Sequence, residues 1–221
     1  MESRELSWTV VVPVKGTADG KSRLDLHVPP DRRSRLADAF ALDTVAAVLA
    51  TPTVERVVVV TETAAPVAEA LATLGADLVG DPGAGLNAAI RAGLSSASAS
   101  VPAAGGLAVL LGDLPSLLPA DLALALDLAA AHPLAVVADA EGTGTTLLAA
   151  RGAVPVPRFG AGSAARHVEG GHVPLELPAG TTLRRDVDTA ADLAQALAAG
   201  VGAHTAAALT PPAASGPSPR R

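Results

Sequence analysis

Residues 11–24 read VVPVKGTADGKSRL, the end of an apolar strand followed directly by a loop rich in glycine and positive charge. We predict a strand over residues 8–14, because an unbroken apolar run is typical of a strand buried in a sheet. Glycine-rich turns expose backbone N–H groups, and these together with fixed cations bind phosphate oxygens. The loop therefore indicates an anion site carrying Lys15, Lys21 and Arg23, with a solvated basic turn as the alternative.

The glycine spacing of this loop is close to that of a Walker A loop, but it has one residue too few between the glycines. A Walker A lysine opens a helix, whereas here Pro29 and Pro30 prevent a helix from running on from the loop. We expect the next helix to begin at Asp31, a good N-cap residue, and we disfavour a P-loop NTPase.

Length and composition fit one α/β domain of 221 residues with an aliphatic core, since hydrophobic residues make up 49% and aromatic residues only 1%. Stacking of a base on an aromatic platform is therefore nearly excluded. The net charge of −6 argues against a nucleic-acid groove, which needs an extended basic face. The chain has no cysteine, so disulfides, zinc–thiolate sites and thiol nucleophiles are excluded.

The ends of the chain and its apolar runs bear on its location. The first five residues are polar and lack a signal-peptide core, and no unbroken run of about 18 apolar residues is present. We expect a soluble cytoplasmic protein that acts on small molecules, with no nucleic-acid or membrane partner. Its oligomeric state stays open.

Strand and helix patterns alternate along the chain, which predicts a three-layer α/β/α, Rossmann-like domain with a mostly parallel central sheet. The domain is predicted to span residues 1–204, and residues 205–221, rich in Pro, Ala and Ser, are predicted to form a disordered tail. The predicted strands are residues 8–14, 56–61, 77–79, 107–111, 134–138, 145–149, 173–177 and 183–187. The predicted helices are residues 31–49, 65–74, 86–97, 119–130, 163–169 and 190–199.

Three aspartates stand at predicted strand ends, where an α/β sheet binds its ligands. Asp113 follows residues 107–111, and Asp186 and Asp188, two apart in a predicted strand, share a face. Mg²⁺ binds a few carboxylates together with phosphate oxygens and water. We expect Asp113 and one of the other two to hold Mg²⁺ against a nucleotide. The alternative is capping, since Asp188 or Thr189 could cap the helix that follows.

Small and polar residues at other loop ends are candidate ligand contacts. Asn87, near a predicted helix start, is either a capping group or a ribose or base contact. Ser163 opens a second helix as an anion contact or a plain N-cap, and Thr145 is a ligand contact or strand filler. His167 is predicted to be a surface or packing histidine. The expected nucleotide contacts are Val14, Lys15, Gly16, Lys21, Gly85, Asn87 and Gly112.

Four segments, in the same order, resemble the guanylyltransferases of deazaflavin coenzyme (F-420) biosynthesis, which act on phosphoenolpyruvate or 2-phospho-L-lactate. The likeness covers about residues 8–203. The most specific of the four segments runs from Phe159 through Ser163 to His167. The other three are the loop from Val12 to Leu24, Gly112-Asp113-Leu114-Pro115 and Asp186-Val187-Asp188-Thr189.

The resemblance implies GTP as donor, Mg²⁺ on Asp113 and on Asp186 or Asp188, and an acceptor held by Thr145, Gly160 and Ser163. It also implies catalysis by Lys15, Lys21, Arg23 and Asp113. Bacterial members are expected to use phosphoenolpyruvate, giving enolpyruvyl-diphospho-5′-guanosine and pyrophosphate. The alternatives are another nucleotidyltransferase of this fold, CTP-dependent or of the molybdenum-cofactor type, and a nucleotide-binding regulatory module without turnover.

Overall fold

The computed structural model describes residues 6–14, 30–99 and 105–210, and the strands and helices alternate through them. The strands are β1 Trp8–Pro13, β2 Val54–Thr61, β3 Asp77–Gly80, β4 Gly106–Leu110, β5 Leu134–Ala138, β6 Thr145–Arg151 and β7 Val173–Pro174. The helices are α1 Pro30–Leu49, α2 Pro66–Leu74, α3 Leu86–Ser98, α4 Pro119–Ala129, α5 Ser163–Glu169, α6 Ala190–Ala199 and α7 Ala203–Leu209. Within the described ranges, no helix is both long and apolar enough to cross a membrane.

All seven strands form one sheet in the order β3-β2-β1-β4-β6-β5-β7. Every neighbouring pair is parallel except those made by β6, which runs antiparallel to both β4 and β5. The prediction of a mostly parallel sheet is therefore confirmed. Because β6 is reversed, its first residue, Thr145, pairs with Ala138 at the carboxyl end of β5.

The core lies on both faces of the sheet, as the alternation of side chains along β1 requires. Val10 and Val12 face a layer formed by apolar residues of α1, α2 and α4. Val11 faces the opposite layer, where Ile90 and Leu94 of α3 pack against the sheet. The predicted three-layer arrangement is confirmed, and its core is aliphatic apart from a few buried rings such as Trp8 and Phe40.

Two glycines allow close packing against β1. A Cβ atom at Gly93 of α3 would lie 2.5 Å from Cγ1 of Val11 and 2.6 Å from Cγ2 of Val60. A Cβ atom at Gly106 of β4 would overlap the ring of Trp8, which is buried. Glycine at these two positions therefore sets how closely α3 and the Trp8 ring approach the sheet.

The predicted strand over residues 183–187 is wrong. A 3₁₀ helix, Thr182–Arg184, stands there instead, and side-chain contacts hold it in place. Asp121 accepts hydrogen bonds from the Thr182 N–H and hydroxyl at 2.7 and 2.6 Å. The Arg184 guanidinium donates to the carbonyl oxygens of Ala138 and Asp139 at 3.0 and 2.7 Å. These tertiary contacts satisfy the polar groups of the segment in place of a strand partner.

The predicted strand over residues 173–177 shortens to β7, Val173–Pro174, at the edge of the sheet. Proline has no N–H to donate to a ladder, which confines it to edge positions. Beyond Pro174, one further hydrogen bond joins the Leu175 N–H to the Val136 carbonyl at 2.9 Å.

The boundary predicted between domain and tail, at residue 205, lies too early. Residues Ala203–Leu209 form α7, and Thr205 within it is fully buried. The carboxylate of Asp43 on α1 accepts hydrogen bonds from the N–H groups of His204 and Thr205 at 2.9 and 2.8 Å. The structured domain therefore continues through α7, and residues 211–221 of the predicted tail lie outside the described residues.

Candidate active site

A cavity of about 480 Å³ opens at the carboxyl edge of the sheet, beyond the ends of β1 and β4. This is the point where the strand order reverses, because the chain passes from β1 to β2 and β3 on one side and returns with β4 on the other. Open α/β sheets bind ligands at such a crevice. The lining includes Val14, Leu86, Gly112, Asp113, Asp139, Glu141, Thr143, Gly144, Thr145, Gly160, Gly162, Ser163, Asp186 and Asp188.

Four aspartates line this cavity from three directions. Asp113 follows β4, Asp139 follows β5, and Asp186 and Asp188 follow the 3₁₀ helix. The Val187 N–H donates to the Asp113 carbonyl oxygen at 3.0 Å, which holds residues 186–188 beside the end of β4. The predicted meeting of Asp113 with Asp186 is thus found, although it does not depend on the predicted strand.

The carboxylates repel one another electrostatically. Burial, followed by the negative charges of Asp113, Asp188 and Asp139, raises the pKa of Asp186 to about 7. In the part of the chain that the structure describes, no three His, Asp or Glu side chains are grouped so as to hold a metal by themselves. A cation here would need oxygen ligands from a substrate as well as from the protein.

Asp139 organises the loop between β5 and β6. Its carboxylate, which is buried, accepts hydrogen bonds from the N–H groups of Thr143 and Gly144 at 2.9 and 2.7 Å. A Cβ atom at Gly144 would overlap that carboxylate. The turn therefore brings Thr145 to the cavity in one orientation.

Two hydroxyl groups and an imidazole form a buried network on the same side as α5. Ser163 Oγ lies 3.1 Å from Thr145 Oγ1, and His167 Nδ1 lies 3.0 Å from the same Thr145 oxygen. The Arg158 backbone N–H donates to His167 Nε2 at 2.9 Å. Thr145 and Ser163 also line the cavity, so their hydroxyl groups lie between the imidazole and the cavity.

The imidazole of His167 is fully buried. Burial, followed by the neighbouring His172, Arg166 and Arg158, lowers its pKa to about 4. The ring of Phe159 packs edge-on against it at a centroid distance of 5.1 Å. His167 is therefore neutral at physiological pH and held in one position.

The loop before α5 is tied down at both ends. Asn87 of α3 donates from Nδ2 to the Phe159 carbonyl at 3.0 Å and accepts from the Phe159 N–H at 2.8 Å. Arg166 donates to the Arg158 carbonyl at 2.9 Å and to the Ala161 carbonyl at 2.5 Å. Gly160, between these anchors, has φ of +119°, a conformation that glycine adopts without strain.

The residues predicted from sequence divide into three groups. Val14, Gly112, Asp113, Thr145, Gly160, Ser163, Asp186 and Asp188 all line the cavity. Gly85 is the N-cap residue of α3, and Asn87, which was expected either to cap that helix or to contact a nucleotide, instead holds Phe159. Lys15, Gly16, Lys21 and Arg23 lie outside the described residues.

The structure also shows which of Asp188 and Thr189 caps the helix that follows them. The side chain of Thr189 caps α6 and forms a reciprocal capping box with Asp192, so Asp188 is not the cap.

Sequence reasoning missed two residues of the site. Asp139 closes a strand, as Asp113 does, and that shared position was the available signal. For His167 the signal was its spacing of four residues from Ser163, which places both on one face of a helix.

The fold is one that solved nucleotidyltransferase structures share. The 4-diphosphocytidyl-2C-methyl-D-erythritol synthase structure has the same fold, with a TM-score of 0.63, 11% identity, and coverage of 89% of this chain and 99% of that chain.

Sequence similarity identifies the family to which this chain belongs. The family model for CofC-like guanylyl transferases matches residues 8–210, and the chain belongs to this family. A phosphoenolpyruvate guanylyltransferase from Streptomyces coelicolor is 50% identical, over 91% of this chain and 95% of the relative. A Sanguibacter keddieii protein of the same name is 48% identical, over 92% of this chain and 84% of the relative.

Proposed function

We propose that this protein transfers GMP from GTP to phosphoenolpyruvate, giving enolpyruvyl-diphospho-5′-guanosine and pyrophosphate, a reaction of coenzyme F-420 biosynthesis. The observation that carries the proposal is one cavity lined both by Asp113 and Asp186 and by the hydroxyl groups of Thr145 and Ser163. Relatives about half identical over nearly their full length carry the name of this reaction, which supports the choice of donor and acceptor.

The residues of the cavity fit a Mg²⁺ ion. Asp113 and Asp186 with its neighbour Asp188 are hard oxygen ligands. Burial, and then repulsion by the neighbouring carboxylates, raises the pKa of Asp186, and a divalent cation would favour its ionised form. Two carboxylates and several phosphate oxygens are a usual ligand set for Mg²⁺. When bound, the ion would neutralise negative charge on the phosphate that is transferred.

The proposed reaction needs no general base. The phosphate of the acceptor has a second pKa near about 6, so its oxygen is already ionised at neutral pH. That oxygen attacks the α-phosphorus of GTP, a new P–O bond forms, and the bond to the oxygen bridging the α- and β-phosphates breaks. Pyrophosphate leaves with the bonding electron pair and with the bridging oxygen.

The task of the protein is to hold two anions together. Thr145 and Ser163 would donate hydrogen bonds to the acceptor, and Lys15, Lys21 and Arg23 would neutralise the leaving pyrophosphate. Orientation of this kind supplies roughly 7–11 kcal/mol of the barrier in favourable cases.

Pyrophosphate release tests the proposal directly. GTP, ATP, CTP and UTP are each combined with phosphoenolpyruvate, 2-phospholactate and 3-phosphoglycerate, with Mg²⁺ present, and the products are identified by mass spectrometry. We expect turnover with GTP and phosphoenolpyruvate. Preference for 2-phospholactate, or for CTP, would overturn the assigned acceptor or donor, and no turnover in any combination would favour a regulatory module.

A substitution of Asp113 tests the proposed Mg²⁺ site. Asp113→Asn is expected to abolish turnover while the protein keeps its thermal unfolding transition. Asp127→Asn, a change of the same chemistry at an exposed position on α4, serves as the control and should leave turnover unchanged. Full activity of Asp113→Asn would remove Asp113 from the proposed role.

A further inference from the structure

The tautomer of His167 follows from its backbone contact. A backbone N–H can only donate, so the Arg158 N–H at 2.9 Å requires an unprotonated acceptor at His167 Nε2. A neutral imidazole then carries its proton on Nδ1. That N–H donates to Thr145 Oγ1, 3.0 Å away.

Counting protons shows what this tautomer does to the two hydroxyl groups. Thr145 and Ser163 have two hydroxyl protons between them, and their mutual hydrogen bond at 3.1 Å uses one. With His167 as donor, the second proton is left over. Were His167 Nδ1 an acceptor, it would take that proton, and the pair could only accept hydrogen bonds from a ligand. Within the described residues, neither hydroxyl group makes another hydrogen bond.

The remaining hydroxyl proton can be donated into the cavity. Both side chains are almost completely buried, with 3% and 1% of Thr145 and Ser163 exposed, and both line the cavity. A hydroxyl group that donates into a buried cavity favours an anionic oxygen, because hydrogen bonds to charged groups are the stronger ones.

We propose that His167 is a positioning residue that makes the Thr145–Ser163 pair a hydrogen-bond donor, so that the pair selects an anionic oxygen of the acceptor, carboxylate or phosphate. This inference rests on the proposed function, since it takes the pair as the acceptor subsite. His167 itself touches neither substrate and acts through Thr145. Burial and neighbouring cations keep it neutral, which maintains the donor arrangement.

Steady-state kinetics of His167 variants tests the proposal. His167→Leu removes the N–H that fixes the orientation of the two hydroxyl groups, so the spare proton is no longer held toward the acceptor. KM for phosphoenolpyruvate should rise about tenfold, an effect of the size of one hydrogen bond to a charged group, with KM for GTP unchanged. His167→Asn places an amide N–H near the Nδ1 position and should recover most of that loss. It also keeps the test possible if His167→Leu does not fold.

A double mutant separates positioning from a merely structural role. If His167 acts through the hydroxyl pair, His167→Leu should add nothing to the KM of a Thr145→Val variant. The control is His132→Asn, the same change at a histidine that lies outside the cavity lining and outside the hydroxyl network. It should leave KM for phosphoenolpyruvate near that of the unchanged protein.

The outcomes distinguish this proposal from the one on which it rests. If Thr145→Val leaves KM for phosphoenolpyruvate unchanged, the acceptor subsite is wrong and the inference fails with it. If Thr145→Val raises KM but His167→Leu does not, the subsite stands and the role of His167 is overturned. The same follows if His167→Leu has an equal effect with and without Thr145.

Discussion

At the scale of single residues, Asp186 is a site residue whose burial in ionised form destabilises the folded protein. Its pKa is raised from 3.8 to about 7, chiefly by burial and then by the charges of Asp113 and Asp188. The folded protein therefore binds a proton at this carboxyl between about pH 4 and pH 7 that the unfolded chain has released. The stability that the protonated Asp186 carboxyl contributes is fully present below about pH 4 and is lost as the pH rises through 7.

Asp186→Asn should accordingly stabilise the metal-free protein at high pH. The expected gain at pH 8 is on the order of 1–2 kcal/mol, a rise in Tm of a few degrees for a chain of this size. At pH 5 the folded wild-type protein keeps its proton, so the difference should shrink. Thermal unfolding with a chelator at both pH values measures it.

The exposed neighbour Asp188 supplies the control for this prediction. Asp188→Asn should shift Tm at pH 8 by less than Asp186→Asn does, because water screens an exposed charge. Equal shifts at pH 5 and pH 8 for Asp186→Asn would contradict the raised pKa.

Residue roles were predictable where position along the chain decided them. Asp113 directly follows a strand, so its place at the ligand edge could be predicted from sequence. Asn87 could not be assigned, because its partner, the backbone of Phe159, is 72 residues away in the chain. His167 was predicted to be a surface or packing histidine, and its hydrogen bond to Thr145 depends on how β6 and α5 meet.

At the scale of elements, α7 shows how a weak local signal is overridden by a tertiary contact. The segment is short and lies where composition predicts disorder, yet Asp43 of α1 accepts hydrogen bonds from two of its first N–H groups. A carboxylate at a helix N-terminus satisfies donors that have no partner within the helix. Gly202 allows this approach, since a Cβ atom there would overlap Asp43.

Asp43→Ala should therefore loosen α7. We expect a loss of about 1–3 kcal/mol in the free energy of unfolding, because two buried N–H groups lose a charged acceptor. Hydrogen exchange at His204 and Thr205 should also become faster. Asp43→Asn keeps one acceptor oxygen, so its free energy of unfolding should lie between those of the unchanged protein and Asp43→Ala.

The matched control for that measurement is Asp127→Ala, which removes an exposed carboxylate from α4. Urea denaturation of both variants gives the comparison. If Asp43→Ala were no less stable than Asp127→Ala, α7 would not depend on this contact.

The elements that could be predicted are those with strong local signals. Runs of valine mark β1 and β2, and prolines at the first helical positions mark α2 and α4. The wrong predictions concern short segments, residues 173–177 and 183–187, whose apolar pattern fits a strand. The conformation of the second is determined by contacts with distant residues: Asp121 accepts from Thr182, and Arg184 donates to Ala138.

At the scale of the whole molecule, the distance between α3 and the sheet depends on Gly93. The valine side chains beneath it leave no room for a further carbon atom. A single methyl group at this point would push the helix layer away from β1 and β2, on the sheet face that carries Asn87 and, through it, the Phe159 loop.

Gly93→Ala should lower the free energy of unfolding by about 1–3 kcal/mol, the usual cost of overpacking a core. The intrinsic helix preference of alanine over glycine, about 1 kcal/mol, acts in the opposite direction and should not compensate. Gly180→Ala is the control, because a Cβ atom there would meet nothing within 4 Å. Equal stability of the two variants would contradict close packing at Gly93.

Sequence alone determined the layered α/β architecture, the parallel character of the sheet and the aspartate at the end of β4, because hydrophobic periodicity and strand–helix alternation are local properties. Tertiary structure alone decided the reversed strand β6, the inclusion of α7, and the assembly of four aspartates and a hydroxyl pair around one cavity. Each of these depends on contacts between residues far apart in the chain, such as Asn87 with Phe159 and Asp43 with Thr205. No local pattern specifies such contacts, since their stability comes from burial and hydrogen bonds that exist only once the layers have packed.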